Sequence, residues 1–169
     1  MNWDAIGAIG EIVGASGVIF TLFYLAIQIR ANTATTQGAT ANSTLRDARD
    51  LLNTTFQDRE NTDLFLRGME NFDSLDKVDR AMFTNRTASF FLFWMNAFEQ
   101  NRKGLLSPHL WDTFERDIPG FFASPGFHEA WSLVRYSFPV EYQTYIDEMA
   151  MLDASESPDY LAINTSDDA

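Results

Sequence analysis

The chain has 169 residues, a formal net charge of −12 and no cysteine, which leaves room for one small domain and excludes several functions at once. With 12 Lys and Arg against 24 Asp and Glu, it lacks the clustered cations that phosphate binding needs, so nucleic acid is not an expected partner. The absence of cysteine removes disulfides, thiolate metal sites, iron–sulfur clusters and cysteine nucleophiles together, and suits a reducing compartment.

From Ala5 to Ile29 the sequence reads AIGAIGEIVGASGVIFTLFYLAIQI, with Glu11 as its only charge. At 1.5 Å rise per residue, Ile12 to Ile29 alone covers roughly 27 Å, close to the hydrocarbon thickness of a bilayer. Residues 1–30 are therefore expected to form one transmembrane helix. The chain starts MNWD, without the basic residues of a secretory signal, and the apolar stretch is too long for one, so the span is expected to stay attached. Arg30, Arg46 and Arg49 follow the span and nothing basic precedes it. That bias predicts an outside N-terminus and a cytoplasmic C-terminal domain.

At 100° per residue, Gly7, Gly10, Gly14, Gly17, Thr21 and Gln28 fall within an arc of roughly 80°, with Ile12, Ile19, Phe23 and Ala26 opposite. Small residues let helix backbones approach closely in lipid, and Thr or Gln can hydrogen-bond across the seam. The face is expected to pack against a copy of itself, another membrane-protein subunit or the chain's own later helices. Glu11 flanks the face and has two readings: a headgroup-layer residue near the level of Trp3, or an intramembrane functional acid. The glycines form no G-x-G pair and precede no βαβ pattern, so a nucleotide-binding loop is excluded.

Residues 31–60 form a helical stalk or linker. ANTATTQGATANST (Ala31 to Thr44) has no Pro, and Leu45, Ala48, Leu52 and Phe56 recur at helical spacing, predicting a helix that leaves the membrane and runs to about Phe56, weakened near Gly38. An all-α domain over 61–150 follows. A short helix is expected from Asp63 to Arg67, capped by Thr62 and ended by Gly68. The next, from about Asp76 to Lys103 with Ser74 as N-cap, carries FFLFWM (Phe90 to Met95) and is apolar almost all round, as a helix enclosed by others would be. Its Phe90, Trp94 and Phe98 share a face expected to be buried against Trp111 and Trp131. So many rings are read as packed core, with an apolar ligand pocket as the other possibility.

Ser107-Pro108 opens a helix expected to end before Pro119-Gly120, and Ser124-Pro125 opens another. Pro139 separates that one from a last helix holding Tyr142, Tyr145 and Ile146. Residues 151–169 read as an acidic, loosely ordered tail. No strand pattern occurs, so the fold class is all-α.

His109 and His128, with Asp112 and Glu129 nearby, form neither HExxH nor paired ExxH. The carboxylates are spread through every predicted helix, and no nucleophile elbow is present. No catalytic residue, cofactor or metal site is expected.

IGAIGEIVGASGVIFTLFYLAIQIRANT, LFLRGMENFDSL and FHEAWSLVRYSF together resemble a large family of uncharacterised bacterial proteins. The likeness covers roughly Ile6 to Tyr145, with the I-G-E-I-V-G run at Ile9 to Gly14 and the L-A-x-Q-I-R-x-N-T end at Leu25 to Thr33. It implies a single N-terminal inner-membrane helix followed by a small all-α domain, and no activity. After Asn32 the chain departs from the family, carrying Thr and Ala where further basic residues are usual. The leading expectation is a non-enzymatic, single-pass membrane protein acting by assembly, as an accessory or scaffold subunit or as a homo-oligomer. The alternative is a homo-oligomeric channel or proton-handling protein using Glu11. An enzyme would need convergent polar groups that the sequence does not disclose.

Overall fold

The computed structural model describes residues 3–153; most of the predicted acidic tail, from 154 onward, lies outside the described residues. These fold into six α-helices and two short 3-10 turns, with no strand among them. The first helix, α1 (Trp3–Thr55), is one continuous element of 53 residues. In its polar middle the threonines turn their hydroxyls onto carbonyls of the preceding turn: Thr33 to Ile29, Thr35 to Ala31 and Thr36 to Asn32, at 3.0, 3.0 and 2.9 Å, which satisfies the hydroxyls without leaving the helix. Gly38 costs the helix about 1 kcal/mol and does not break it. The chain divides between Ala39 and Thr40 into two compact units.

The second unit begins with the end of α1 and contains α2 (Arg59–Glu70), α3 (Lys77–Arg102), α4 (Pro108–Phe122), α5 (Pro125–Val134) and α6 (Val140–Met149). Helix α3 is its axis, with α2, α4 and α5 packed on it. It buries Phe83, Phe90, Phe91, Trp94 and Ala97, which lie on several sides of its middle, as the run of rings predicts. The end of α1 presents Thr44 and Thr55, both buried, beside the half-buried Ala48 and Leu51. The two threonines enter an apolar setting because their hydroxyls donate to Thr40 and Leu51 carbonyls at 2.9 and 2.8 Å.

Four expected helix ends differ in the structure. Helix α2 starts at Arg59 rather than Asp63, because Asp58 is its N-cap and accepts from the Asn61 amide at 2.8 Å. It runs through Gly68, where a Cβ would lie 2.2 Å from the Phe83 ring, so this glycine makes room for α3 instead of stopping a helix. Helix α3 is capped by Asp76, which accepts from Val78 and Asp79 amides, while Ser74 belongs to the preceding 3-10 turn. Helix α4 continues past Pro119 to Phe122. An interior proline costs about 3 kcal/mol. Burial of Ile118, Phe121 and Phe122, each worth roughly 1.5–3 kcal/mol, outweighs it. At α5 the expected Ser-Pro start is present, yet Ser124 makes no cap bond and donates its hydroxyl to the Phe121 carbonyl instead.

The tryptophans also sort differently from the expected shared face. Phe90 and Trp94 are buried in the main cluster, where Trp94 meets Phe121 at 5.4 Å between ring centroids. Trp131 packs on Phe91, at 4.7 Å with the ring planes 50° apart, rather than on Phe90. Trp111 belongs to a second cluster with Ala97, Leu106 and Phe114, where the half-buried Phe98 reaches it at 6.3 Å. Burial faces opposite sides of α3, so neighbouring rings diverge.

Polar side chains tie the helices at their edges. Arg86 of α3 donates to the Thr55 carbonyl at the end of α1 and to the Asn61 carbonyl and side chain of α2, at 3.2, 3.2 and 2.7 Å. It thus supplies donors where α1 has run out of its own. Arg135 pairs with Asp147 of α6, and the Trp131 indole donates to the same carboxylate at 2.8 Å. The Arg135 hydrogen bonds, supported by Trp131, hold the Asp147 carboxyl below its ordinary value. A depressed folded value means the carboxylate's contribution is complete above about pH 4 and disappears as pH falls through the folded value. Asp147→Asn should therefore flatten the acid limb of a melting-temperature profile below about pH 4 and leave its slope near neutrality unchanged; an unaltered acid limb would show that the pair contributes nothing.

Candidate functional site

Helix α1 is the one helix among the described residues long and apolar enough to cross a membrane, and none of its apolar window is buried. Between Val18 and Ile29 the large side chains are 46–74% exposed, including Phe20, Leu22, Phe23 and Leu25. These residues point in every direction around the helix axis, since they are near-consecutive at 100° steps. Covering each would gain roughly 1.5–3 kcal/mol. A groove on one partner would cover a single stripe, whereas lipid covers the whole circumference.

The residues of the expected packing face lie along this helix. Gly7, Gly10, Gly14 and Gly17 are exposed, and no atom beyond the helix's own backbone lies within 4 Å of where a Cβ on any of them would sit. Thr21 and Gln28 continue the strip, but both are engaged locally. The Thr21 hydroxyl donates to the Gly17 carbonyl at 2.9 Å, and the Gln28 amide to the Tyr24 hydroxyl at 2.8 Å. What they offer another helix is thus the lone pairs of Thr21 and the carbonyl and second N–H of Gln28. The glycines remain the geometric core of the strip, because only they let a second backbone come close. Glu11 is exposed beside them.

The other groups weighed in the sequence do not converge. His109 and His128 are exposed, and His128 lies edge-on to Phe122 at 5.1 Å. Among the described residues no three His, Asp or Glu side chains gather where a metal ion could sit. Burial pushes the Tyr142 and Tyr145 hydroxyls well above the usual phenol range. Each has a structural partner: Tyr142 donates to the Phe91 carbonyl at 2.8 Å and Tyr145 to Glu115 at 3.0 Å.

The aromatic run is mostly packed core, but an apolar cavity of about 220 Å³ opens where the end of α1 meets α3 and α4. Sequence reading raised such a pocket without locating it. Its α1 wall is Ala48, Leu51 and Leu52, and nothing local indicated that α4 would form the other.

No protein-family profile matches the chain, and no curated protein or solved structure does so either.

Proposed function

We propose that this protein is a single-pass membrane protein that acts by assembly, its span docking through the Gly7/Gly10/Gly14/Gly17 strip and its helical domain serving as an accessory or scaffold module. The observation that carries the reading is the exposed circumference of α1 combined with an open glycine strip along one side. A plain anchor would gain nothing from four glycines in register, each costing about 1 kcal/mol of helix propensity in water. The partner is a copy of itself or another membrane-protein subunit. The bacterial inner membrane, with the N-terminus outside and the domain in the cytoplasm, fits Arg30, Arg46 and Arg49 following the span.

Gly14→Leu should push the partner helix away and lower the assembled fraction, measured by native mass in mild detergent and by crosslinking. Ile19→Leu, on the opposite side, should leave it unchanged. Equal assembly in wild type and both variants would reduce the span to an anchor. A reporter joined after Ala169 should be cytoplasmic; a periplasmic signal would overturn the orientation. Glu11→Gln decides against the channel reading if assembly and membrane flux are both unaffected. Loss of proton or ion flux with assembly intact would favour the channel instead.

A further inference from the structure

Beyond the span, the apolar residues of α1 keep to a period of seven. Ile27, Ala31, Ala34, Gly38, Ala41, Leu45, Ala48 and Leu52 follow one another at alternating steps of four and three, and most positions between them are Thr, Asn, Gln, Ser or charged. A helix lying on a globular core shows a broad stripe with a period of about 3.6, whereas a narrow stripe at a strict period of about 3.5 is the seam of a coiled coil. The helix is unbroken through the whole stretch. Lipid does not account for the seam, because from Arg30 onward the helix is rich in Thr, Asn and Gln. The helical domain does not account for it either: it buries Thr44 and Thr55 and leaves Leu45 and Leu52 49 and 46% exposed.

Orientation, charge and size narrow the partner. Copies of one chain enter the membrane in the same direction, since each carries the same arginines after its span, so their seams run parallel with Leu45 and Leu52 at the same level. Coiled coils that select a different protein do so through charges flanking the seam. Here the flanking residues between Ala31 and Leu45 are Thr35, Gln37, Asn42 and Thr44, which neither demand an opposite charge nor repel a copy. Arg49, the next flanking charge, lies beside Asp50 of its own chain at 4.0 Å. Ala31, Ala34, Gly38 and Ala41 fill the narrow space between two helices and would leave a void at the axis of three or more. We propose that α1 from Ile27 to Leu52 forms a parallel, in-register, two-stranded coiled coil with a second copy of this chain. The proposal rests on the assembly reading and names its partner.

The chain has no cysteine, so single cysteines in the full-length protein, held in membrane vesicles and mildly oxidised, report which sides of α1 meet. Ala34→Cys, Leu45→Cys and Leu52→Cys should each form disulfide-linked dimers about tenfold faster than Thr36→Cys and Ser43→Cys on the opposite side, since the bond needs Cβ atoms roughly 3.5–4.5 Å apart. Linking at both Ala34→Cys and Leu52→Cys also establishes the parallel order, because antiparallel helices bring identical residues together at one level only. Leu45→Glu should set two carboxylates face to face and slow linking through Leu52→Cys on the same chain about tenfold. Coexpression with a chain carrying Leu45→Lys and Leu52→Cys should restore it. Near-ultraviolet dichroism checks that Leu45→Glu still folds; where it does not, the cysteine scan decides alone. Thr21→Cys reports on the glycine strip separately. Linking at Thr21→Cys with none at the three seam positions would leave membrane assembly standing and overturn the coiled coil. Equal rates on both sides of the helix, a native mass of three or more chains, or Glu and Lys chains that pair no better than Glu chains alone would also overturn it.

Discussion

Gly126→Ala is expected to destabilise the helical domain more than any other single-methyl addition. A Cβ at this position would lie 1.9 Å from the Gly68 carbonyl oxygen, 2.8 Å from its carbon and 2.9 Å from the Met69 Cα. All three are backbone atoms of α2, so no side chain can rotate away, and either α5 or α2 must shift. Overpacking typically costs about 1–3 kcal/mol, occasionally more, and a backbone clash belongs at or above the upper end. Gly68→Ala provides the graded comparison. Its Cβ would meet the Phe83 ring at 2.2 Å, and that ring is hemmed in by Phe65, Phe72 and Phe127, whose centroids are 5.8, 5.9 and 6.4 Å away. Gly38→Ala, with nothing within 4 Å, should do the opposite and stabilise α1 by up to about 1 kcal/mol. Urea melts followed by near-ultraviolet dichroism would rank the three. Gly126→Ala melting like wild type would mean that α2 and α5 do not approach this closely.

That approach also shows where sequence reasoning stops. Local signals found each helix but not every boundary: Ser107-Pro108 and Ser124-Pro125 do precede α4 and α5, and α1 continues through its Thr-rich middle, where no Pro interrupts it, whereas α2 and α3 take Asp58 and Asp76 as caps where Thr62 and Ser74 were expected. Stop signals failed where tertiary packing opposed them. Gly68 reads as a terminator and is instead the point where α5 touches α2; Pro119 reads as a break and is carried through by the apolar residues around it. The glycine strip was legible because helical geometry alone aligns it. What covers the strip depends on a second surface that the sequence does not contain. The cavity was illegible for a related reason, since its walls come from residues 48 to 121 and exist only once three helices have met.

Trp94→Ala is the second large effect expected. The side chain is 2% exposed and lies against Phe90, Phe91, Phe121 and Phe127, at centroid distances of 5.9, 5.8, 5.4 and 6.3 Å. Removing a buried Trp costs about 3–5 kcal/mol, combining lost transfer energy with the void left behind, and each lost ring pair adds roughly 0.5–1.5 kcal/mol in favourable geometries. The void would open into the cavity beside it, where apolar walls offer water nothing to bond, so hydration cannot restore the loss. For a domain of this size the melting temperature should fall by roughly 10–25 °C. Trp111→Ala should cost less, because Trp111 sits in the smaller cluster with the half-buried Phe98 and Tyr145 as ring partners. Trp94→Phe should fall between wild type and alanine. Unchanged melting in Trp94→Ala would show that this side of α3 lies on a surface. A large loss that spares membrane assembly, in contrast, would separate what holds the domain together from what the glycine strip does.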